Sequence, residues 1–355
     1  MALLPRRSRF GDHMSDLLQG LLAERPWLLA DGATGTDLFA MGLQHGDAPE
    51  FWNLEQPEKV QAHYRSFIEA GSDIVLTNSF GGTANRLKLH GGQDRVREIN
   101  AAAASLLRRE IAESGRLIVC AGSVGPTGDL FAPLGPLTYE EGVAAFREQC
   151  EGLVEGGADV AWIETMSAPE ELAAALEGAA AAGLPAVCTL SFDTNGRTMM
   201  GVTPAQLPEL LRTSAAAPLA FGGNCGTGAS ELVAALLSMS KAAEPGQVLV
   251  AKANCGIPEF VGGEVRYNGT PELMAAYAVL ARDAGARIIG GCCGTTAEHV
   301  VAMRKALEET PPGPPPTLPE IEAALGSISA AGRGEAPARE PRREGRRRKG
   351  SAASP

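Results

Sequence analysis

The chain has 355 residues, of which 45% are hydrophobic and 21% are charged. This composition supplies enough apolar material for a sizeable core and excludes a disordered or fibrous protein. The net charge of −11 argues against general nucleic-acid binding, because a polyanion requires a positive surface. A basic run at 333–349, with eight basic and three acidic residues, departs from this balance, and we expect it to be a solvated tail.

The cysteines and the apolar runs indicate the cellular setting. No apolar run reaches the roughly 18 residues that span a bilayer, and the first residues lack the apolar stretch of a secretory signal. The seven cysteines are an odd number spread over a long chain, which is a poor disulfide framework. We therefore predict a cytoplasmic protein that contacts no membrane.

Eight short β-prone runs recur along the chain, and segments with helical periodicity lie between them. The runs are 27–31, 73–80, 117–122, 159–165, 186–192, 219–225, 248–255 and 287–292. Eight parallel strands with crossover helices predict an α/β fold, a single (β/α)8 TIM barrel over residues 21–310. We expect an N-terminal arm at 1–20 and, at 311–355, a Pro/Arg-rich disordered tail with one brief helix at 318–325.

An open doubly wound sheet is the alternative architecture. The segment DGATGT after the first predicted strand is not the GxGxxG fingerprint of that fold. No GxxxxGK[ST] phosphate-binding loop occurs either. The barrel is therefore favoured, and its active site is expected at the carboxyl ends of the strands.

Three cysteines follow two of the predicted strands. Cys225 lies in FGGNCGTG at the end of the sixth strand, and Cys292 and Cys293 lie in IIGGCCGTT at the end of the eighth. On a barrel these residues point into one mouth, where three thiolates would leave one tetrahedral position of Zn²⁺ open, as in catalytic sites. The residues alone leave two alternatives, apolar buried cysteines and a strained disulfide between Cys292 and Cys293.

Seven motifs carry a resemblance to a known family: DGATGT, EAGSDIVLTNSFGG, VGPTG, WIETM, GGNCG, KANCG and GGCCGTT. In this order they resemble the zinc-dependent homocysteine S-methyltransferases. That family includes betaine–homocysteine methyltransferase and the homocysteine module of cobalamin-dependent methionine synthase. The resemblance covers roughly residues 26–308.

The resemblance implies a role for particular residues. Cys225, Cys292 and Cys293 match the zinc ligands and form the catalytic centre. The amino acid end of homocysteine would be held by Asp31, Gly32 and Glu164. Asn224 and Asn254 would orient the surrounding loops.

The resemblance also implies the reaction, which is methylation of the homocysteine thiol to form methionine. Zinc coordination deprotonates a bound thiol, so no Ser/His/Asp motif is required. The methyl donor would be betaine or a related onium compound. In the alternative, the chain is the homocysteine-activating subunit of a split methionine synthase and receives the methyl group from a separate corrinoid protein.

Betaine carries a quaternary ammonium, which proteins usually hold among aromatic faces. The candidates near the first three strand ends are Phe51, Trp52, Phe80, Phe131 and Tyr139. Gly81 stands where the betaine-using animal enzymes place an aromatic residue, which argues against betaine. Outside this family, a (β/α)8 zinc hydrolase or a non-catalytic zinc-binding module are alternatives, although zinc hydrolases usually use His and carboxylate ligands.

Overall fold

The computed structural model describes residues 16–335 except 194, 257, 262 and 263. In chain order the strands are β1 Leu28–Leu29, β2 Ile74–Leu76, β3 Val119–Val124, β4 Val160–Met166, β5 Ala186–Leu190, β6 Ala220–Cys225, β7 Leu249–Ala253, β8 Pro258–Val261, β9 Glu264–Tyr267 and β10 Ala286–Gly291. All except β8 and β9 form one parallel sheet in the order β1-β10-β7-β6-β5-β4-β3-β2. A parallel bridge between Ala30 and Ile74 joins the two end strands and closes the barrel.

Helices cover the outside of the barrel and one of its ends. The α-helices are α1 Asp16–Glu24, α2 Thr34–Ala40, α3 Trp52–Glu55, α4 Pro57–Glu69, α5 Ala84–Leu87, α6 Val96–Ser114, α7 Tyr139–Gly156, α8 Pro169–Ala181, α9 Leu207–Arg212, α10 Ala229–Ala242, α11 Pro271–Asp283, α12 Ala297–Glu309 and α13 Leu318–Leu325. Short 3-10 helices lie at Pro49–Phe51, Lys88–His90, Gln93–Arg95 and Pro204–Gln206. No helix in the described part of the chain is long and apolar enough to cross a membrane.

The structure confirms the predicted (β/α)8 barrel. Each of the eight predicted β-prone runs overlaps one barrel strand. Strands β1, β2, β5, β6 and β7 are shorter than predicted, whereas β3, β4 and β10 have the predicted length but are shifted by one or two residues. The antiparallel hairpin of β8 and β9 was not predicted, although its two β-prone runs are separated by Gly-Gly, a known hairpin signal.

The barrel interior is filled by apolar side chains and is closed at its amino-terminal end. Leu28, Ile74 and Trp162 are fully buried in the interior cluster. Leu18 and Leu21 of α1 belong to the same cluster, so α1 plugs the end at which the strands begin. The carboxyl ends of the strands are left to form the mouth, which is where active sites of such barrels lie.

The chain continues along the barrel after α12. Ile321 of α13 is fully buried, and α13 packs against α10 and α11. The N–H of Ser329 donates to Glu231 at 2.6 Å, and Ser230 donates to the Ser327 carbonyl at 3.1 Å. The helix expected at 318–325 is thus present, whereas the domain division at 310 stays a prediction. Residues before 16 and after 335, which include most of the predicted arm and basic run, lie outside the described part.

Candidate active site

Three thiols converge at the mouth of the barrel. Cys225 ends β6, and Cys292 and Cys293 directly follow β10. Their sulfur atoms all lie within 4.8 Å of one another, and the Sγ atoms of Cys225 and Cys293 are 4.0 Å apart. Sulfurs bonded to one zinc ion at about 2.3 Å would stand roughly 3.8 Å apart in a tetrahedron. The spacing therefore fits three corners of a zinc site.

The backbone around Cys225 bends sharply at the end of β6. Cys225 has a φ of 59° and Gly226 a φ of 74°, both in the left-handed region. Thr165, which follows Glu164 across the mouth, has a φ of 63°. Residues other than glycine rarely adopt this conformation, and such strain collects at functional sites.

Two asparagines hold the loops that carry the thiols. Asn254 donates to the Gly226 carbonyl at 2.8 Å and accepts from the Cys293 N–H at 3.1 Å, which ties the loop after β6 to the loop after β10. Asn224 accepts from the Thr165 N–H at 2.9 Å, and its Nδ2 lies 3.9 Å from the Cys292 Sγ. Both side chains therefore hold the loops that carry the thiols.

Ionisation of one of the three thiols opposes ionisation of the other two. Hydrogen bonds from Cys292 and Cys293 lower the pKa of Cys225, whereas the hydrogen bond with Cys225 raises the pKa of Cys292 and of Cys293. One negative charge is thus favoured among the three sulfurs, and further charges are opposed by repulsion and burial. A divalent ion that prefers sulfur would remove this conflict, so the charge balance also fits zinc.

A group of buried charges lies beside the thiols. Asp31, in the loop after β1, is 2.5 Å from the Nζ of Lys252 on β7, and both side chains are 1% exposed. Glu164 on β4 accepts a hydrogen bond from Ser123 at 2.6 Å. Burial raises the pKa of Glu164 to about 7, against the opposing influence of Lys252. Burial works against the charge of Lys252, but Asp31 and Glu164 outweigh it, so the pKa of Lys252 is raised.

Gly32 lies at the closest approach between the first and last loops of the mouth. A Cβ atom at this position would stand 2.3 Å from the Thr295 carbonyl oxygen and 2.8 Å from the Phe67 ring. The neighbouring Ala33 N–H donates to the same Thr295 carbonyl at 3.0 Å. Packing alone therefore requires glycine at position 32. Gly32 also lines the cavity described next.

One cavity joins these groups. It has a volume of about 460 Å³, which is the size of a small-molecule site. Its inner wall includes the three thiols, Glu164 and Lys252, and its outer wall is formed by the loops after β1 and β2. Of the five aromatic residues that the sequence suggested, Phe80 lines the cavity, together with Phe39, which the sequence did not suggest.

The hairpin β8–β9 ends against the thiols. Tyr267 is within hydrogen-bonding reach of Cys293. Burial raises the pKa of the Tyr267 hydroxyl, and the charge of Cys293 raises it further. A Cβ atom on Gly294 would stand 2.4 Å from the Cβ of Tyr267, so glycine is needed where the hairpin meets this loop.

Sequence reasoning missed Lys252 and Tyr267. Lys252 lies in the quoted motif KANCG, and the available signal was a lysine inside the otherwise apolar run LVAKA. Tyr267 carried no comparable signal, because its position depends on how the hairpin folds over the mouth.

The comparisons with known proteins agree with this geometry. A sequence profile described as Homocysteine S-methyltransferase matches residues 28–307. Methionine synthases of Mycobacterium tuberculosis and Mycobacterium leprae are 31% and 30% identical over 313 residues, which is 82% of this chain. The chain spans about a quarter of the length of these relatives.

A solved structure is similar as well. The homocysteine methyltransferase MmuM from Escherichia coli, in its metallated form, is 26% identical with a TM-score of 0.68. The similarity covers 81% of this chain and 99% of that one. With a profile match over most of its length, the chain belongs to the homocysteine S-methyltransferase family.

Proposed function

We propose that this protein is a zinc-dependent homocysteine S-methyltransferase that forms methionine. The convergence of Cys225, Cys292 and Cys293 within 4.8 Å is the observation that carries the proposal. Three thiolates occupy three of the four coordination positions of zinc and leave one position for a further ligand, which is typical of catalytic zinc sites. The MmuM structure is named as a metallated form, which supports a metal-binding role for the corresponding site here.

The amino acid end of homocysteine would occupy the inner cavity beside the thiols. Glu164 supplies a carboxylate for the substrate ammonium, and Gly32 lines the same cavity, with Asp31 buried behind it against Lys252. Asn224 and Asn254 hold the loops so that the substrate thiol faces the three cysteines. The packed barrel interior beneath excludes water from the inner end of the site.

Zinc, when bound, would keep the substrate thiol in its nucleophilic thiolate form at neutral pH. The protein's own contribution is to fix the amino acid so that the sulfur is aimed at the methyl carbon. In the transfer, an electron pair of sulfur forms the new S–C bond. The bond between the methyl group and the donor breaks at the same time, and its electrons leave with the donor.

The first candidate donor is betaine or a related small onium compound. The outer half of the cavity presents the rings of Phe39 and Phe80 and the buried carboxyl group of Glu50. Glu50 accepts the Gly81 N–H at 2.6 Å and has no ion-pair partner among the described residues. Aromatic faces attract a cationic methyl donor, and the carboxyl group of Glu50 would add to this attraction when it is ionised.

The second candidate donor is a methylated corrinoid on a separate protein. The relatives are named methionine synthases, and this chain spans only a quarter of their length. Most of the exposed large apolar side chains in the described residues also lie in the segments that follow β1, β2, β3 and β5 at the mouth: Phe39, Leu89, Leu130, Leu134, Met199 and Met200. A second protein docked at the mouth would cover these side chains.

Methionine formation by the zinc-loaded protein tests the proposal. Homocysteine is supplied with betaine, dimethylsulfoniopropionate, S-methylmethionine or methylcobalamin in separate reactions, and the product is measured by mass spectrometry. Turnover with a small onium supports the first donor, and turnover with methylcobalamin alone supports the second. A protein that binds zinc but neither binds nor methylates homocysteine would contradict the proposal and favour a hydrolase or a zinc-binding module.

We also place the protein in the cytoplasm. All seven cysteines are free, and three of them must stay reduced to hold a metal. A reducing compartment meets this requirement. Fractionation of cells that express the tagged chain, with a cytoplasmic marker enzyme as reference, tests the location.

A further inference from the structure

Lys252 is an unusual residue for the position it occupies. It lies on β7 at the inner wall of the cavity and is 1% exposed. A lysine is rarely buried to this degree, because its charge loses hydration, and it needs a compensating partner. Asp31 is that partner, at 2.5 Å from the Nζ.

Both carboxylate oxygens of Asp31 already accept hydrogen bonds from the protein. Its Oδ1 accepts from Lys252, and its Oδ2 accepts from the Leu76 N–H at 2.6 Å. Glu164 is less occupied, since Ser123 is its only hydrogen-bond donor among the described residues. Of the two acidic groups, Glu164 is therefore the one with an oxygen available for a substrate ammonium.

The ammonium group of Lys252 also has spare capacity. It carries three N–H donors, and within the described chain Asp31 is its only hydrogen-bond acceptor. The ring of Trp162 lies 5.5 Å from the Nζ and offers a weak cation–π contact. At least one donor of a buried cation thus remains for whatever occupies the cavity.

A spare cation and a spare carboxylate on one cavity wall are complementary to the two charges of an α-amino acid. We propose that Lys252 binds the α-carboxylate of the thiol substrate while Glu164 binds its α-ammonium. Lys252 is then a specificity-determining residue that restricts the site to thiols of the α-amino acid class. Asp31 is a positioning residue, which holds Lys252 in place. This inference rests on the proposed function.

Substrate analogues test the inference on the unaltered protein. Homocysteine is compared with aminopropanethiol, which lacks the carboxylate, and with mercaptobutanoate, which lacks the ammonium. Binding to the zinc-loaded protein is measured by calorimetry, independently of turnover. We expect each analogue to bind about tenfold or more weakly than homocysteine, because each leaves a buried charge unpaired. Equal binding of homocysteine and aminopropanethiol would overturn the inference.

Variants assign the preference to Lys252. In Lys252→Met the preference for homocysteine over aminopropanethiol should disappear, whereas the preference over mercaptobutanoate, which depends on Glu164, should remain. Lys252→Met leaves Asp31 buried and unpaired. The double variant Asp31→Asn, Lys252→Met removes both charges, and we expect it to show the same binding preferences as Lys252→Met. Retention of the carboxylate preference in the folded double variant would contradict the role of Lys252.

The outcomes separate this inference from the proposed function. If homocysteine binds and is methylated but aminopropanethiol binds equally well, only the role assigned to Lys252 is wrong. If the zinc-loaded protein binds none of the three thiols, the proposed function itself is wrong.

Discussion

Glu164 destabilises the folded protein when its carboxyl group is ionised. Burial raises the pKa of its carboxyl group from 4.5 to about 7, so ionisation is costlier in the fold than in the unfolded chain. The folded state keeps its proton between these two pKa values while the unfolded state releases it. The contribution of Glu164 to stability is therefore greatest at low pH and is lost as the pH rises from about 4.5 to about 7.

Glu164→Gln should consequently stabilise the metal-free protein near neutral pH. Glutamine keeps an oxygen for Ser123 but never ionises, so we expect a gain of about 1–3 kcal/mol in the free energy of unfolding near pH 8. Near pH 4 the gain should vanish, because the parent carboxyl group is protonated in both states. Denaturant unfolding at the two pH values measures this difference, and an equal gain at both would contradict the assigned cause. Homocysteine binding should weaken in the same variant.

Substitution of single cysteines tests the metal centre. Cys225→Ala removes one of three converging sulfurs, so zinc retention and turnover should both be abolished. Cys188→Ala is the matched control, because Cys188 is a fully buried cysteine on β5 outside the cluster. Zinc content after dialysis distinguishes the two variants. Full zinc occupancy and activity in Cys225→Ala would refute the ligand assignment.

At the scale of elements, the local signals explain most of the fold. Gly71, Gly157, Gly183 and Gly285 follow the ends of α4, α7, α8 and α11 within two residues, and their φ angles of 73° to 111° lie in the left-handed region that ends a helix. The spacing of Thr295 and Glu298 in the sequence is typical of a capping box at the start of α12. The structure has Thr296 with His299 instead, because the Thr295 carbonyl is engaged by Ala33 across the barrel closure. A sequence pattern does not contain that long-range contact.

Helix α1 should matter for stability and not for chemistry. Leu18 is fully buried against the strand starts, at the opposite end of the barrel from the thiols. Leu18→Ala should therefore lower the free energy of unfolding by about 2–5 kcal/mol, through lost burial and the cavity left behind. The exposed neighbour Gln19→Ala serves as control and should change little. Denaturant unfolding compares the two variants, and equal effects would show that α1 does not plug the barrel.

At the scale of the whole molecule, the strand order brings distant sequence segments to one edge. Cys225 and the pair at 292–293 are separated by 67 residues or more, yet only β7 stands between their strands. The sequence was sufficient for this convergence, since parallel barrel strands all end at one mouth. It was insufficient for Lys252, because a lysine in a strand is ordinarily read as solvent-exposed, and its burial depends on Asp31 from the opposite end of the chain.

The contribution of α13 to stability can be tested with two truncations. A protein that stops at residue 335 should unfold at the same temperature as the full chain, because every described contact of α13 is kept. A protein that stops at 316 loses the burial of Ile321 and Leu325, and its midpoint should fall by several degrees. Thermal unfolding followed by circular dichroism gives both midpoints. Identical midpoints would show that the barrel is complete before α13.

The account depends on three cysteines that bind one zinc ion and leave a place for the substrate thiol. X-ray absorption at the zinc edge, recorded before and after homocysteine is added, tests this most directly. We predict three sulfur ligands and one lighter ligand in the first spectrum, and four sulfur ligands in the second. A zinc ion whose sulfur count does not change on addition of homocysteine would contradict the account.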